Sequence, residues 1–149
     1  MKIVYCIPSL HIPGGRERVI TNKVNWLASR GYDITIITTD QSTKSPFYKI
    51  DARVKIKDLH INYCSQSNRP IWLKIPYFFL NSYLHYSRLR SILNQIQADI
   101  IISTFANEMA YLHKYTLGSK KILELHTSKS SIYKQFGNNV LDRWRKKTC

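Results

Sequence analysis

Acidic residues are scarce in this chain of 149 residues, which has nine Asp and Glu side chains against 23 Lys and Arg. The formal charge of +14 predicts an affinity for anions, such as phosphorylated ligands, nucleic acid or an acidic membrane surface. Long apolar runs are also missing, since none reaches the roughly 20 residues of a spanning helix. We expect no signal peptide, because Pro8, His11 and the charged segment after Gly15 interrupt any apolar stretch. These absences together predict a cytoplasmic protein.

Signatures of metal and cofactor chemistry are absent as well. The three cysteines, Cys6, Cys64 and Cys149, are an odd number without metal-ligand spacing, and the five histidines are scattered. A free Cys6 inside a predicted strand fits a buried thiol in a reducing compartment. The chain has no Gly-x-Gly-x-x-Gly, P-loop or Gly-x-Ser-x-Gly motif. We therefore expect no metal and no bound cofactor, and nucleophile-elbow hydrolase chemistry has no support.

What the chain does contain is an alternation of strands and helices. Five β-branched or apolar runs predict strands at 2–7, 34–39, 54–59, 98–104 and 120–126. Helical spacing predicts helices at 19–28, 71–96, 109–115 and 127–144. This order predicts one α/β domain over 1–149, with a doubly wound, mostly parallel Rossmann-like sheet of about five strands. The third strand alternates apolar and polar residues, which suggests a sheet edge.

The turn between the first strand and the first helix, from Ser9 to Arg18, is the most informative stretch. Pro13, Gly14 and Gly15 stop both elements, and paired glycines let a backbone approach a ligand closely. The free N–H groups of a helix start favour anions. A tight turn without a ligand is the alternative interpretation.

Ligands of open parallel sheets bind beyond the carboxyl ends of the strands. That rim is predicted to be polar, and His126, directly after the fifth strand, is its most interesting side chain. His126 would either bond locally or contact a ligand in the cleft. Asp40, at the end of the second strand, is where a dinucleotide enzyme would hold a ribose, but a loop or capping role fits better without the glycine fingerprint.

The segment Gly14-Gly15-Arg16-Glu17-Arg18, between a Lys-Ile-Val-Tyr strand and a helix leading to Gly31-Tyr32-Asp33-Ile34-Thr35, resembles the start of family-four glycosyltransferases. These are retaining enzymes of the GT-B fold that use nucleotide sugars, often in the synthesis of bacterial surface polysaccharides. The resemblance implies that this chain is their N-terminal, acceptor-side domain.

The resemblance also implies roles for individual residues. Gly14 and Gly15 would approach the donor diphosphate, and His126 would act in catalysis by contacting the transferred sugar. Glu17 and Arg18 would organise the helix start and the cleft. The remaining rim residues are candidates for the acceptor cleft: His11, Ser103, Thr104, Asn107, Glu108 and Thr127.

The 71–96 segment allows two interpretations. A long helix covering the sheet is one, and an interface with a membrane or hydrophobic acceptor is the other, since aromatic and basic residues occur together. The membrane-facing candidates are Trp72, Lys74, Phe78 and Phe79. We expect a glycan or lipid-linked acceptor and a peripheral location at the inner face of the membrane, with no nucleic-acid partner.

One departure from the family pattern is decisive. The family binds its nucleotide sugar mainly through a second domain that carries Glu-x₇-Glu, and the residues eight positions after Glu17, Glu108 and Glu124 are Asn, Thr and Ile. We therefore expect a truncated product that is inactive alone and needs the missing C-terminal domain as its partner. The alternative is a non-catalytic basic α/β module that binds an anionic membrane surface or a phosphorylated partner.

Overall fold

The computed structural model describes residues 1–63, 71–104, 109–113, 115 and 118–126. Five strands and three helices alternate along this part of the chain. In chain order they are β1 (Lys2–Cys6), α1 (Gly15–Ser29), β2 (Asp33–Thr38), β3 (Lys55–Asp58), α2 (Ile71–Ile96), β4 (Ile100–Ser103), α3 (Met109–Leu112) and β5 (Lys120–Leu123).

The five strands form one parallel sheet in the order β3-β2-β1-β4-β5. The predicted doubly wound α/β architecture is therefore confirmed. The chain moves outward from β1 to β2 and β3, then returns to the other side of β1 for β4 and β5. Such a reversal opens a crevice at the carboxyl ends of the two strands where the direction changes, here β1 and β4.

Successive side chains of the central strands point to opposite faces of the sheet and pack into two separate cores. Ile3 and Tyr5 face α1 and pack with its buried stripe of Ile20, Val24 and Ala28. On the other face, Val4 and Cys6 pack with residues of α2 and α3: Leu89, Leu93 and Leu112. Because every central strand is covered on both faces, its sequence is almost continuously apolar.

The ends of some elements differ from the sequence prediction. Helix α1 begins at Gly15 and not at residue 19, because its first turn is polar and carries no apolar periodicity. Gly31 follows α1 with a positive φ of 84°, as predicted for a helix terminus. Strand β5 ends at Leu123, three residues before the predicted end, and its side chains are exposed. The predicted edge position of β3 is confirmed.

Helix α2 has two halves with different surroundings. Its carboxyl-terminal half covers the sheet as predicted, through Leu89 and Leu93. The amino-terminal half contains Pro76 without interruption of the helix and leaves several large apolar side chains exposed. Cys6 is buried and free, as expected. The predicted helix at 127–144 and the cysteines Cys64 and Cys149 lie outside the described residues.

Candidate active site

The turn after β1 places the start of α1 at the carboxyl edge of the sheet. Gly14 precedes the helix in an extended conformation (φ −160°), and its carbonyl accepts the first helical bond, from the Arg18 N–H at 3.0 Å. The following N–H groups of the first turn have no intrahelical partner by the geometry of any helix start. They carry the positive end of the helix dipole, next to the crevice between β1 and β4.

Gly14 and Glu17 are in close contact. A Cβ on Gly14 would collide with the Glu17 carboxylate, so a side chain here requires that carboxylate to move, whereas the backbone conformation does not call for glycine. Arg16 fixes this carboxylate by donating from Nε and from Nη2 to Oε1, at 3.0 and 2.8 Å. Glu17 is buried, whereas the Arg18 side chain is exposed. Glu17 thus contacts both Gly14 and Arg16 at the start of α1.

Gly15 differs from its neighbour. A Cβ on Gly15 would meet no atom within 4 Å, and the residue is exposed. The packing of the described residues therefore does not require a glycine at this position. One physical reason for a glycine remains. Without a side chain at this position, a ligand backbone or phosphate can approach the helix start closely.

A side chain from the loop after β2 holds the turn in place. Gln41 is buried, accepts from the Leu10 N–H at 2.7 Å and donates to the Lys44 carbonyl at 2.6 Å. The same two loops bring Lys44 Nζ within 3.4 Å of His11 Nε2. His11 Nδ1 is buried and has no hydrogen-bond partner in the described structure. The acceptor candidate His11 is therefore on the rim, beside an exposed cation.

The acceptor candidates at the end of β4 are enclosed. Thr104 donates from its backbone N and from Oγ1 to the Cys6 carbonyl, at 3.2 and 3.0 Å, and Ser103 is equally buried. Both residues join β4 to β1 where the crevice opens. The other candidates, Asn107, Glu108 and Thr127, lie outside the described residues.

His126 lies in a charged group that links the end of β5 to α1. Its Nε2 is 3.0 Å from Glu124 Oε2, and the same oxygen accepts from Lys23 Nζ at 2.9 Å. Burial raises the pKa of Tyr5 to about 12, and the nearby carboxylate of Glu124 adds to this rise. His126 therefore has the local partner that one of the two sequence interpretations predicted, and this partner orients its ring.

A second polar group, which the sequence analysis did not find, lies on the α2 face of the sheet. His85 is fully buried, and its Nδ1 is 2.9 Å from the hydroxyl oxygen of Tyr63. The rings of His85 and Tyr111 have centroids 4.9 Å apart. Burial lowers the pKa of His85 to about 4, although Asp40 acts in the opposite direction. The imidazole is consequently neutral at neutral pH.

Asn81, one turn before His85, is also buried. Asn81 Nδ2 and His85 Nε2 have no hydrogen-bond partner in the part of the chain that the structure describes. The sequence does carry a signal for this polar group. Tyr77, Asn81 and His85 follow one another at four-residue steps, and the same steps lead on to the buried Leu89 and Leu93. Because Asn81 and His85 are polar, apolar spacing alone does not assign them to the inner face of α2.

The amino-terminal half of α2 exposes three of the predicted membrane candidates, Trp72, Phe78 and Phe79. Trp72 is 70% exposed and Phe79 is 68% exposed, and Phe78 packs edge-on against Phe79 with centroids 5.8 Å apart. Tyr83, which was not predicted, is 69% exposed. The side chain of Lys74 lies outside the described part. Trp72, Phe79 and Tyr83 share one side of α2 by helical spacing, and we call these three residues the aromatic stripe.

Two further features limit the possible sites. Within the described residues, no three His, Cys, Asp or Glu side chains come together in a way that could hold a metal ion. No helix in the described portion combines the length and apolar character needed to cross a bilayer.

A cavity of about 700 Å³ opens at the opposite, amino-terminal edge of the sheet. Its walls include Gln97, Asp99, Tyr115 and Lys120. Because ligands of open parallel sheets bind at the carboxyl edge, this cavity is not the expected active site.

Comparison with known proteins decides the family. Residues 13–149 match the sequence pattern described as Glycosyltransferase Family 4. The chain belongs to glycosyltransferase family 4. An uncharacterized glycosyltransferase of Haemophilus influenzae is 30% identical over 129 residues, which cover 85% of this chain and 33% of that protein. The chain thus spans about a third of the length of this curated relative.

A solved structure supports the fold. Sucrose-phosphate synthase from Thermosynechococcus elongatus superposes with a TM-score of 0.65 over 97% of this chain and 38% of that one. The two sequences are only 9% identical, so the likeness concerns the fold alone. It supports the N-terminal GT-B assignment that the Gly14–Arg18 segment had suggested.

Proposed function

We propose that this family-four domain takes part in the transfer of a sugar from a nucleotide-diphosphate donor to a glycan or lipid-linked acceptor. The observation that carries the proposal is the position of Gly14 and Gly15 at the start of α1, beside the crevice between β1 and β4. A helix start with unpaired N–H groups and an open glycine suits the diphosphate of such a donor. The basic charge of the chain favours the same ligand.

The reaction breaks the bond between the sugar C1 and the diphosphate oxygen and forms a bond from C1 to an acceptor oxygen. The electron pair leaves with the diphosphate, and the acceptor hydroxyl passes its proton to an oxygen of the departing diphosphate. Donors aimed at the leaving group lower the barrier in such a reaction, together with orientation of the two substrates. In this proposal the diphosphate faces the first turn of α1 with Gly14 and Gly15. His126 contacts the sugar, and the configuration at C1 is retained.

The division of labour between domains is part of the proposal. We propose that 1–149 is the acceptor-side domain and that a separate domain with Glu-x₇-Glu holds most of the nucleotide. The relatives support this, because the chain covers 33% and 38% of their lengths. Without such a domain, the 149-residue chain is expected to be inactive.

The test is sugar transfer from a panel of nucleotide sugars. Activity is compared between the 149-residue chain and a protein extended to the end of its natural reading frame. Transfer only by the extended protein, lost in His126→Ala and kept in the matched control His113→Ala, would support the proposal. His113 is exposed at the end of α3. Activity in the 149-residue chain would disprove the need for the second domain, and no transfer by either protein would argue against the function.

The aromatic stripe favours an additional proposal, that the protein contacts an anionic membrane surface near the inner leaflet. Aromatic side chains at a membrane interface bury apolar area, and nearby cations attract acidic lipids. Arg90, exposed two turns after Tyr83, lies on the same side of α2 by helical spacing. Binding to vesicles with 30% phosphatidylserine should fall in Phe79→Ser and stay unchanged in Val19→Ser, an exposed apolar residue of α1.

If the extended protein transfers no sugar and still binds these vesicles tightly, the alternative function becomes the better one. The domain would then be a non-catalytic basic module for a membrane surface or a phosphorylated partner. If neither activity nor vesicle binding is found, both proposals are wrong.

A further inference from the structure

Two buried polar atoms on α2 lack an explanation in the fold. Asn81 is 5% exposed and His85 is 0% exposed, yet Asn81 Nδ2 and His85 Nε2 are without a hydrogen-bond partner in the described residues. Leaving such a group unpaired is unfavourable, so most buried polar side chains in proteins are bonded. Two of them in neighbouring turns of one helix are therefore available to bond a polar group of a ligand.

The position of the pair points to the substrate cleft. Helix α2 has 26 residues and is therefore about 39 Å long, whereas the six residues of β2 span about 20 Å. Since α2 leads from the end of β3 to the start of β4, its amino-terminal half extends beyond the carboxyl edge of the sheet. Asn81 lies in that half and His85 lies two residues after it, on the inner side of the helix and across the sheet from α1.

The surroundings of the pair fit a sugar. Partly exposed tyrosines border it, since Tyr63 contacts His85 Nδ1, Tyr111 packs on the His85 ring and Tyr77 precedes Asn81 by one turn. Carbohydrate-sized ligands are held by aromatic faces with a few placed polar groups. All three tyrosines are partly exposed, so the group borders solvent.

Both side chains of the pair are neutral, and this narrows the chemical class of the ligand. The amide of Asn81 is neutral, and the burial of His85 keeps its imidazole neutral as well. Asp40 is close enough to act on His85 electrostatically, and its carboxylate would repel an anionic group. A phosphate buried against neutral partners would lose its hydration without compensation. A neutral hydroxyl can both donate and accept, and so meets the needs of both side chains.

We infer that Asn81 and His85 form a specificity subsite that binds a hydroxyl group of the acceptor glycan. The inference rests on the proposed sugar transfer, for which it names the chemical group that the acceptor presents. It also divides the sheet edge into a donor side, at the start of α1, and an acceptor side, under α2.

The experiment measures sugar binding directly. The full chain is labelled with ¹⁵N-histidine, the His85 signals are assigned by their loss in His85→Gln, and a panel of methyl glycosides of neutral hexoses and N-acetylhexosamines is titrated. We expect at least one glycoside to shift the His85 Nε2 signal. Asn81→Leu should weaken that binding about tenfold. Asn94→Leu, the same change at an exposed position of α2, should leave it unchanged.

Thermal unfolding separates recognition from a structural role. Without a ligand, Asn81→Leu removes an unpaired buried N–H and should keep or raise Tm. If no glycoside shifts His85, or if Asn81→Leu binds like the wild type, the inference is wrong. If Asn81→Leu lowers Tm and no glycoside shifts the His85 signal, an ordered water alone occupies the proposed subsite. That result would also overturn the inference.

The two proposals fail separately. Sugar transfer by the extended protein without any effect of glycosides on His85 would retain the proposed function and disprove this subsite. Glycoside binding at His85 without transfer from any nucleotide sugar would retain a sugar-binding site and disprove the transferase role. In an active enzyme, Asn81→Leu should raise the acceptor KM about tenfold, and the control Asn94→Leu should leave it unchanged.

Discussion

The Glu17 carboxylate occupies the space that a side chain on Gly14 would need. This contact explains why one glycine of the Gly-Gly pair is structural, whereas the other is open to solvent. Gly14→Ala should therefore lower the free energy of unfolding by about 1–3 kcal/mol, the usual cost of overpacking. Gly15→Ala should change it by less than about 0.5 kcal/mol, because its Cβ meets nothing. Urea denaturation of both variants measures the difference.

A double-mutant cycle checks the cause. Glu17→Ala removes the carboxylate, so Gly14→Ala in that background should cost at least about 1 kcal/mol less than in the wild type. Equal costs in both backgrounds would show that the two residues are independent. In the extended enzyme Gly15→Ala should still reduce transfer, because a methyl group would stand where we propose that the diphosphate binds.

Acid should destabilise the protein through His85. Its folded pKa of about 4 lies below the ordinary 6.5, so the unfolded chain takes up the proton first. The contribution of neutral His85 to the free energy of unfolding is complete above pH 6.5 and is lost as the pH falls toward 4. Between pH 7.5 and pH 5 the wild type should lose about 2 kcal/mol more than His85→Gln. The other histidines are common to both proteins, and parallel pH curves would contradict the assignment.

Gln41 should be essential for the turn that carries Gly14 and Gly15. In Gln41→Leu the buried Leu10 N–H loses its acceptor, which should cost about 1–3 kcal/mol in unfolding free energy. Lys44→Ala is the control, because Gln41 donates to the backbone carbonyl of Lys44 and not to its side chain. Thermal unfolding should show a lower Tm only for Gln41→Leu, and equal losses in the two variants would argue against this role.

Glu124 should orient His126 in the active enzyme. Glu124→Ala removes the carboxylate that His126 Nε2 and Lys23 Nζ share, and should reduce kcat/KM about tenfold. Lys23→Met retains the contact between Glu124 and His126, and should therefore have a smaller effect. An unchanged kcat/KM in Glu124→Ala, measured with the extended protein, would mean that His126 needs no such partner.

Much of the fold could be predicted from the sequence because its signals are local. The β-branched run at 34–39 and the apolar run at 98–104 fix two central strands, and Gly31 marks the end of α1. The Gly14–Arg18 segment identified the family and, with it, the position of the candidate site. Each of these signals depends on residues that are neighbours in the chain.

The contacts that the sequence did not predict have more than one cause, and the first cause is distance along the chain. Glu124 and Lys23 are 101 positions apart, and no local pattern announces their ion pair. Asn81 and His85 were missed for another reason, since polar residues on a helix usually face water and only the packing of α2 buries them. The start of α1 was placed too late because its first turn is defined by capping geometry and not by apolar spacing.

The central position of β1 has a consequence for biosynthesis. Ile3 leaves the ribosome among the first residues, but its β4 neighbour Ile100 follows 97 positions later. At about 5–20 residues per second, one edge of β1 waits roughly 5–20 seconds for its permanent partner. During that time the β1, α1 and β2 unit exposes an apolar strand to other nascent chains. The edge of β1 that pairs with β4 is therefore covered later than the edge that pairs with β2.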